Sequence, residues 1–258
     1  MAAVAALTVN VLAPLLPLNG QTTGQISDRF HVYFVPAGYV FAIWGVIYAG
    51  WIAFAVYQMM PAHRETPRLR SLGYVFALSC VFNAAWLFCW HYGYFGVSVL
   101  VMLMLLSLLM AAYVRLDVGR TDIGAVEMWS VDVPFSIYLG WISVATVANI
   151  ADYLYFVGWE GFGIPAQFWA VAMIAVASLL GLAIAVTRRD WAYVLVLAWA
   201  FAGIAVKHAD TITVAYAARA ATALVLALAA WNIVRRWSAA TPTNQRHPPY
   251  YGPRGTSR

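Results

Sequence analysis

Three sets of side chains are spaced so that each lies along one face of a helix. Phe41, Trp44, Tyr48 and Trp51 form the first, Cys80, Asn83, Trp86 and Trp90 the second, and Tyr138, Trp141, Ala145 and Asn149 the third. Positions three and four apart share one side of an α-helix. Such faces could enclose a flat hydrophobic molecule by stacking, while the Asn and Tyr side chains hold its polar edge. The same residues could instead pack helices together. Trp and Tyr fill bundle cores, and an intramembrane Asn joins helices for roughly 1 kcal/mol. Spacing alone leaves both uses open.

Other polar residues stand in apolar surroundings. His31, His91 and His208 fall near the ends of apolar runs, where a neutral ring nitrogen could ligate a haem iron or a chlorophyll magnesium. None has a second ligand at helical spacing, so hydrogen bonding at the interface is the simpler use. Arg219 lies about seven residues into the last apolar run, a costly depth unless it reaches the interface or pairs. Asp210 and Asp152 are its candidate partners, and a ligand carboxylate is the alternative. Asp132 is expected to meet Arg120 or Arg70. No nucleotide loop, GxSxG, Walker pattern or paired metal-ligand motif occurs, so no catalytic residue and no metal site is assigned, and a non-enzymatic role is expected.

The elements that position these residues follow from composition. Of the 258 residues 64% are apolar and 10% charged, with a mean hydropathy of +0.75, which excludes a soluble globule. At roughly 20 apolar residues per span, the chain can build about eight membrane helices. Breaks at charges, Pro and Gly place them near Ala2–Leu18, Ala37–Met60, Leu72–Trp90, Phe95–Val114, Trp129–Ile150, Gln167–Val186, Trp191–Val206 and Ile212–Val234. Cys80 and Cys89 share one of these runs, roughly 13 Å apart along a helix, and cannot pair with each other there.

Charge supports this division. With eight spans, 12 of the 15 Lys and Arg residues fall on one side, leaving Arg29, Lys207 and Arg219 opposite. Lys and Arg collect on the cytoplasmic face, so a multi-pass protein of the plasma (inner) membrane with both termini cytoplasmic is expected. The basicity is therefore topological, and no nucleic-acid partner is expected. Residues 238–258, rich in Pro, Ser, Thr and Arg, read as a cytoplasmic tail that is disordered on its own.

The order of motifs on the three faces carries a resemblance. WGVIY at Trp44–Tyr48, FNAAW at Phe82–Trp86 and YLGWISVATVAN at Tyr138–Asn149 resemble the TspO/translocator-protein family, the tryptophan-rich sensory proteins. The likeness covers roughly residues 1–155 and implies that family's five-helix bundle, followed by three additional helices over 156–237. The proline that this family carries just before the fifth-span Tyr is Ile137 here, with Pro134 one turn earlier. The family binds porphyrins and, in animals, cholesterol, in a pocket closed by the loop after the first helix. By resemblance, the ligand-binding candidates are Trp44, Tyr48, Asn83, Trp86, Tyr138, Trp141 and Asn149.

The first functional expectation is thus an all-α membrane protein that binds a tetrapyrrole of porphyrin, haem or (bacterio)chlorophyll type for sensing or transfer. Burial of the ring faces would drive binding at about 25 cal/mol per Å2. The alternative is an accessory structural subunit of a photosynthetic pigment-protein or respiratory complex. Membrane lipid, the hydrophobic ligand and a homodimer or larger complex are the expected partners. A transporter or membrane enzyme ranks last, because only Arg219 and Asp132 bring charge near the apolar interior, from opposite ends.

Overall fold

The computed structural model describes residues 18–240, and every regular element among them is helical. Seven long helices carry the fold: α1 (Ile43–Met59), α2 (Val75–His91), α3 (Phe95–Arg115), α4 (Val133–Phe156), α5 (Ala166–Thr187), α6 (Trp191–Lys207) and α7 (Ile212–Ala240). The first expected span and the tail beyond residue 240 lie outside the described residues.

Five stretches are long and apolar enough to cross a membrane: Gly38–Met59, Phe95–Arg115, Ala125–Phe156, Ala166–Thr187 and Ile212–Arg236. Two other expected spans, α2 and α6, are apolar helices of 17 residues. At 1.5 Å per residue each runs about 26 Å, short of a hydrocarbon core about 30 Å thick. The described residues therefore support five spans by length and composition, where the sequence suggested eight over the whole chain.

Among the described residues helix α4 is central, and most of its most apolar stretch is buried. A π-helical turn, Met128–Asp132, precedes it. Pro134 follows one residue later and has no backbone N–H to give, so the widened turn sits next to the residue that cannot support regular α-helical bonding. Gly50 of α1 faces this proline, and a Cβ there would stand 3.0 Å from Pro134 Cβ. Helix α3 packs between α2 and α4, while α6 packs against α4, α5 and α7.

Polar side chains fix the ends. Asp190 is buried at the start of α6, where Oδ1 accepts from the backbone N–H groups of Ala192 and Tyr193. Its other oxygen accepts from Tyr113 on α3 at 2.8 Å, so one carboxylate caps one helix and ties it to another. Arg68 Nη1 donates to Glu127 at 2.6 Å and Nη2 donates to Asp132. Asp132 thus pairs with Arg68 and not with Arg120 or Arg70. Arg70 instead meets Glu65, and Arg120 donates to the Thr187 carbonyl. Burial lowers the Arg68 pKa, but hydrogen bonds and charge from Asp132 and Glu127 outweigh it and leave it raised.

Candidate functional site

The three aromatic faces converge. Trp44 of α1 stacks on Tyr48 at 5.7 Å and on Trp86 of α2 at 6.2 Å between ring centroids, with interplanar angles of 24° and 25°. It meets Tyr138 and Trp141 of α4 by their edges, at 6.4 and 6.3 Å. Trp86 stacks in turn on Trp90, Trp51 meets Tyr138, and Phe41 meets Trp141. Offset stacks and edge contacts at these separations are the favourable arrangements of aromatic quadrupoles. Trp86, Tyr138 and Trp141 are buried, while Trp44 and Tyr48 are half-buried. A gap of about 30 Å3 remains between Trp44, Trp86, Trp90, Trp141, Asn149 and Asp152.

The two buried amides differ. Asn149 Oδ1 accepts from Trp86 Nε1 at 3.0 Å, and its Nδ2 donates to Ser98 at 3.0 Å, so it joins α2, α3 and α4. Asn83 has 0% exposure and faces the Tyr138 hydroxyl, but neither of its amide atoms makes a hydrogen bond of regular geometry among the described residues. The Tyr138 hydroxyl and the indole nitrogens of Trp51 and Trp141 are in the same condition. Buried polar groups are nearly always paired, and an unpaired one in apolar surroundings costs several kcal/mol in the absence of water. Such a cluster at an aromatic centre has the chemistry to take the polar edge of a guest.

A cover closes one end of this centre. The short helix Thr23–Ser27 begins with a capping box, in which Gln25 N donates to Thr22 Oγ1 and Thr22 N donates to Gln25 Oε1. Trp90 Nε1 donates to the Thr23 carbonyl at 3.2 Å, and Ser27 Oγ donates to buried Asp152 at 3.0 Å. The following loop is fastened to α6. Lys207 pairs with Asp28 at 2.5 Å, Ala37 N donates to the Gly203 carbonyl, and Trp199 Nε1 donates to the Val40 carbonyl. A Cβ on Gly203 would fall 2.2 Å from Val40 Cγ2, so only glycine admits this approach.

The three histidines and Arg219 lie apart from the aromatic centre. His91 is buried, with Nδ1 2.8 Å from the Leu87 carbonyl one turn back. His208 places Nε2 3.2 Å from the Val35 carbonyl and its ring beside Tyr33. Burial lowers the His208 pKa, the Val35 carbonyl raises it and Lys207 lowers it further, leaving it below the ordinary histidine range. His31 is exposed beside Tyr155. Arg219 lies over the ring of Tyr216 on an exposed face of α7 and makes no ion pair among the described residues. Asp152, a suggested partner, serves Ser27 instead.

Sequence reasoning missed a cavity of about 660 Å3 between the loop at His31–Phe34, the other face of α4 and the start of α5. Its wall includes Trp159, Glu160 and Trp169, which belong to a glycine-rich turn and the first turns of the next helix. The signal was present in the run GWEGFGIP, where aromatic residues alternate with glycines.

No curated protein and no solved structure matches the chain. A family model described as TSPO-like protein matches residues 1–231. The match runs beyond the first 155 residues through α5 and α6 and into α7. With most of its length so matched and its helices apolar, the chain belongs to the TSPO-like family of membrane proteins.

Proposed function

We propose that this protein is an intramembrane receptor for a flat amphipathic molecule of the tetrapyrrole class, held at the aromatic centre. One observation carries the reading. The rings of Trp44, Trp86, Tyr138 and Trp141 meet one another beside a small gap, and three buried polar groups among them, the Asn83 amide and Tyr138 hydroxyl that face each other and the Trp141 indole N–H, make no hydrogen bond of regular geometry among the described residues. Ring faces supply stacking, and these polar groups supply selectivity for a polar edge.

The aromatic rings of the centre offer the stacking a macrocycle needs, whereas the gap of about 30 Å3 is far too small to hold one. Entry therefore requires the cover at Thr23–Ser27 to move and the indoles to part. Among the described residues no histidine lines the closed gap, and stacking on ring faces with a hydrogen-bonded edge is the mode its lining offers. A metal-free porphyrin is the matching probe.

Titration of the purified protein with protoporphyrin, following Trp fluorescence and porphyrin absorbance, tests the proposal. Saturable quenching with a shifted porphyrin band is expected, weakened at least tenfold in the Trp44→Phe, Trp86→Phe, Trp141→Phe triple variant. Undiminished binding by a folded triple variant removes the assignment and leaves helix packing as the use of the three faces.

A further inference from the structure

The geometry points to a second binding site, distinct from the aromatic centre, for an amphiphile with an ammonium head and an apolar chain. The site is the cavity of about 660 Å3 beside α4, within the usual range for small-molecule pockets of roughly 300–1,000 Å3. Val147, Ile150, Ala151 and Leu154 line it, whereas the gap at the aromatic centre is lined from α4 by Val144, Ala145, Ala148 and Asn149. The two spaces thus use different faces of one helix.

The cavity is asymmetric along its length. From Tyr155 to Val147 it follows α4 for eight residues, about 12 Å at 1.5 Å per residue, and the α4 wall from Val147 to Leu154 is aliphatic. The end at the glycine-rich turn is aromatic and carries Glu160, with His31 also in the wall; among the described residues no Lys or Arg lines the cavity. Glu160 makes no ion pair among the described residues, and its chain neighbour Trp159 lies 5.3 Å from the ring of Trp169. A carboxylate in the same cavity wall as the rings of Trp159 and Trp169 supplies the combination that attracts ammonium groups, through charge and through the ring quadrupole. An anionic head would meet the same carboxylate unfavourably.

This end is built in advance. Gly158, Gly161 and Gly163 have positive φ values of 73°, 66° and 76°, and Phe162 between them has 56°. These left-handed positions fold the turn back on itself. Trp169 Nε1 donates to the Gly161 carbonyl at 3.1 Å, and Gln167 Nε2 donates to the Tyr33 hydroxyl at 3.1 Å. Those two bonds join turn to α5, and α5 to the loop, so the aromatic rings are held without a guest. The wall requires α5, and the site therefore gives a function to a helix that follows the first 155 residues.

Fluorine NMR of the full chain labelled with 5-fluorotryptophan in uncharged maltoside micelles provides the test. Trp159→Phe and Trp169→Phe identify the two resonances. Dodecyltrimethylammonium is expected to shift both saturably, while dodecyl sulfate at equal concentration leaves them in place. Glu160→Gln, an exposed substitution that should not disturb folding, is expected to raise the apparent dissociation constant at least fivefold. Equal shifts with the sulfate, or an unchanged constant in Glu160→Gln, would overturn the proposal by showing that apolar partitioning alone fills the cavity.

Discussion

Trp86 Nε1 donates to Asn149 Oδ1 at 3.0 Å between α2 and α4, while Asn83, on the turn of α2 before Trp86, is buried facing the Tyr138 hydroxyl with no hydrogen bond of regular geometry among the described residues. Two amides that read alike in sequence thus have opposite uses. Asn149→Ala leaves the Trp86 N–H and Ser98 short of a partner, and an unsatisfied buried group costs about 1–3 kcal/mol. A lowered Tm in detergent is expected. Asn83→Leu removes an amide that makes no regular hydrogen bond, so Tm should hold or rise while porphyrin affinity falls. Thermal unfolding and porphyrin titration of both variants check the pair.

The cover is held in part by Lys207 and Asp28 at 2.5 Å, with the Asp28 side chain half exposed. An exposed pair contributes only about 0–1 kcal/mol, so Asp28→Asn should barely alter Tm. It should loosen the route to the aromatic centre, and stopped-flow quenching is expected to show porphyrin association several-fold faster. An unchanged association rate would mean that Asp28 plays no part in entry.

Gly203 is where the loop lies closest to α6. Its Cβ in Gly203→Ala would meet Val40 Cγ2 at 2.2 Å and Pro36 Cβ at 3.1 Å. Valine has little rotameric freedom to yield, so a loss of about 1–3 kcal/mol is expected from overpacking. Amide exchange should rise over residues 28–40 before it rises in α3, which the substitution does not touch.

The Arg68 cluster is a structural clamp. Arg68→Met leaves Asp132 and Glu127 without their shared cation; in this partly buried cluster the cost is expected to fall between the about 0–1 kcal/mol of an exposed pair and the about 3–5 kcal/mol of a fully buried one. Thermal unfolding is expected several degrees lower, with porphyrin affinity unchanged in protein that remains folded.

His208 makes the loop sensitive to acid. Its pKa in the folded protein lies below the ordinary value of about 6.5, chiefly through burial, with Lys207 adding to the shift and the Val35 carbonyl opposing it. Its contribution to stability is therefore present above about pH 6.5 and is lost as pH falls toward the lower folded value. Thermal stability should decline between about pH 7 and 5. His208→Gln should flatten that part of the profile.

Much of the helical layout was legible in the sequence because apolar runs and their breaks are local features. The expected Phe95–Val114 and Gln167–Val186 match helices Phe95–Arg115 and Ala166–Thr187 to within one residue at each end. The fifth run was read too short, at Ile150, because Asp152 looked like a stop. Inside the fold Asp152 is buried and bonded to Ser27, 125 positions away, a partner that no local pattern displays. That Trp44, Trp86 and Trp141 each lie on an aromatic face of their own helix follows from helical spacing, but their meeting and the contrast between Asn83 and Asn149 do not, since both depend on how separate helices pack. The cavity at Trp159 and Trp169 was missed because its wall is a turn, and periodicity is silent in turns.

The central claim is that indoles from three helices form one seat for a flat ligand, and porphyrin-sensitised oxidation tests it most directly. Illumination of the protoporphyrin complex, followed by peptide mass spectrometry, reports which indoles lie beside the bound ring. Oxidation is expected first at Trp44, Trp86 and Trp141, ahead of the exposed Trp129 and Trp231. Oxidation confined to the exposed pair, with the three central indoles intact, would contradict the account.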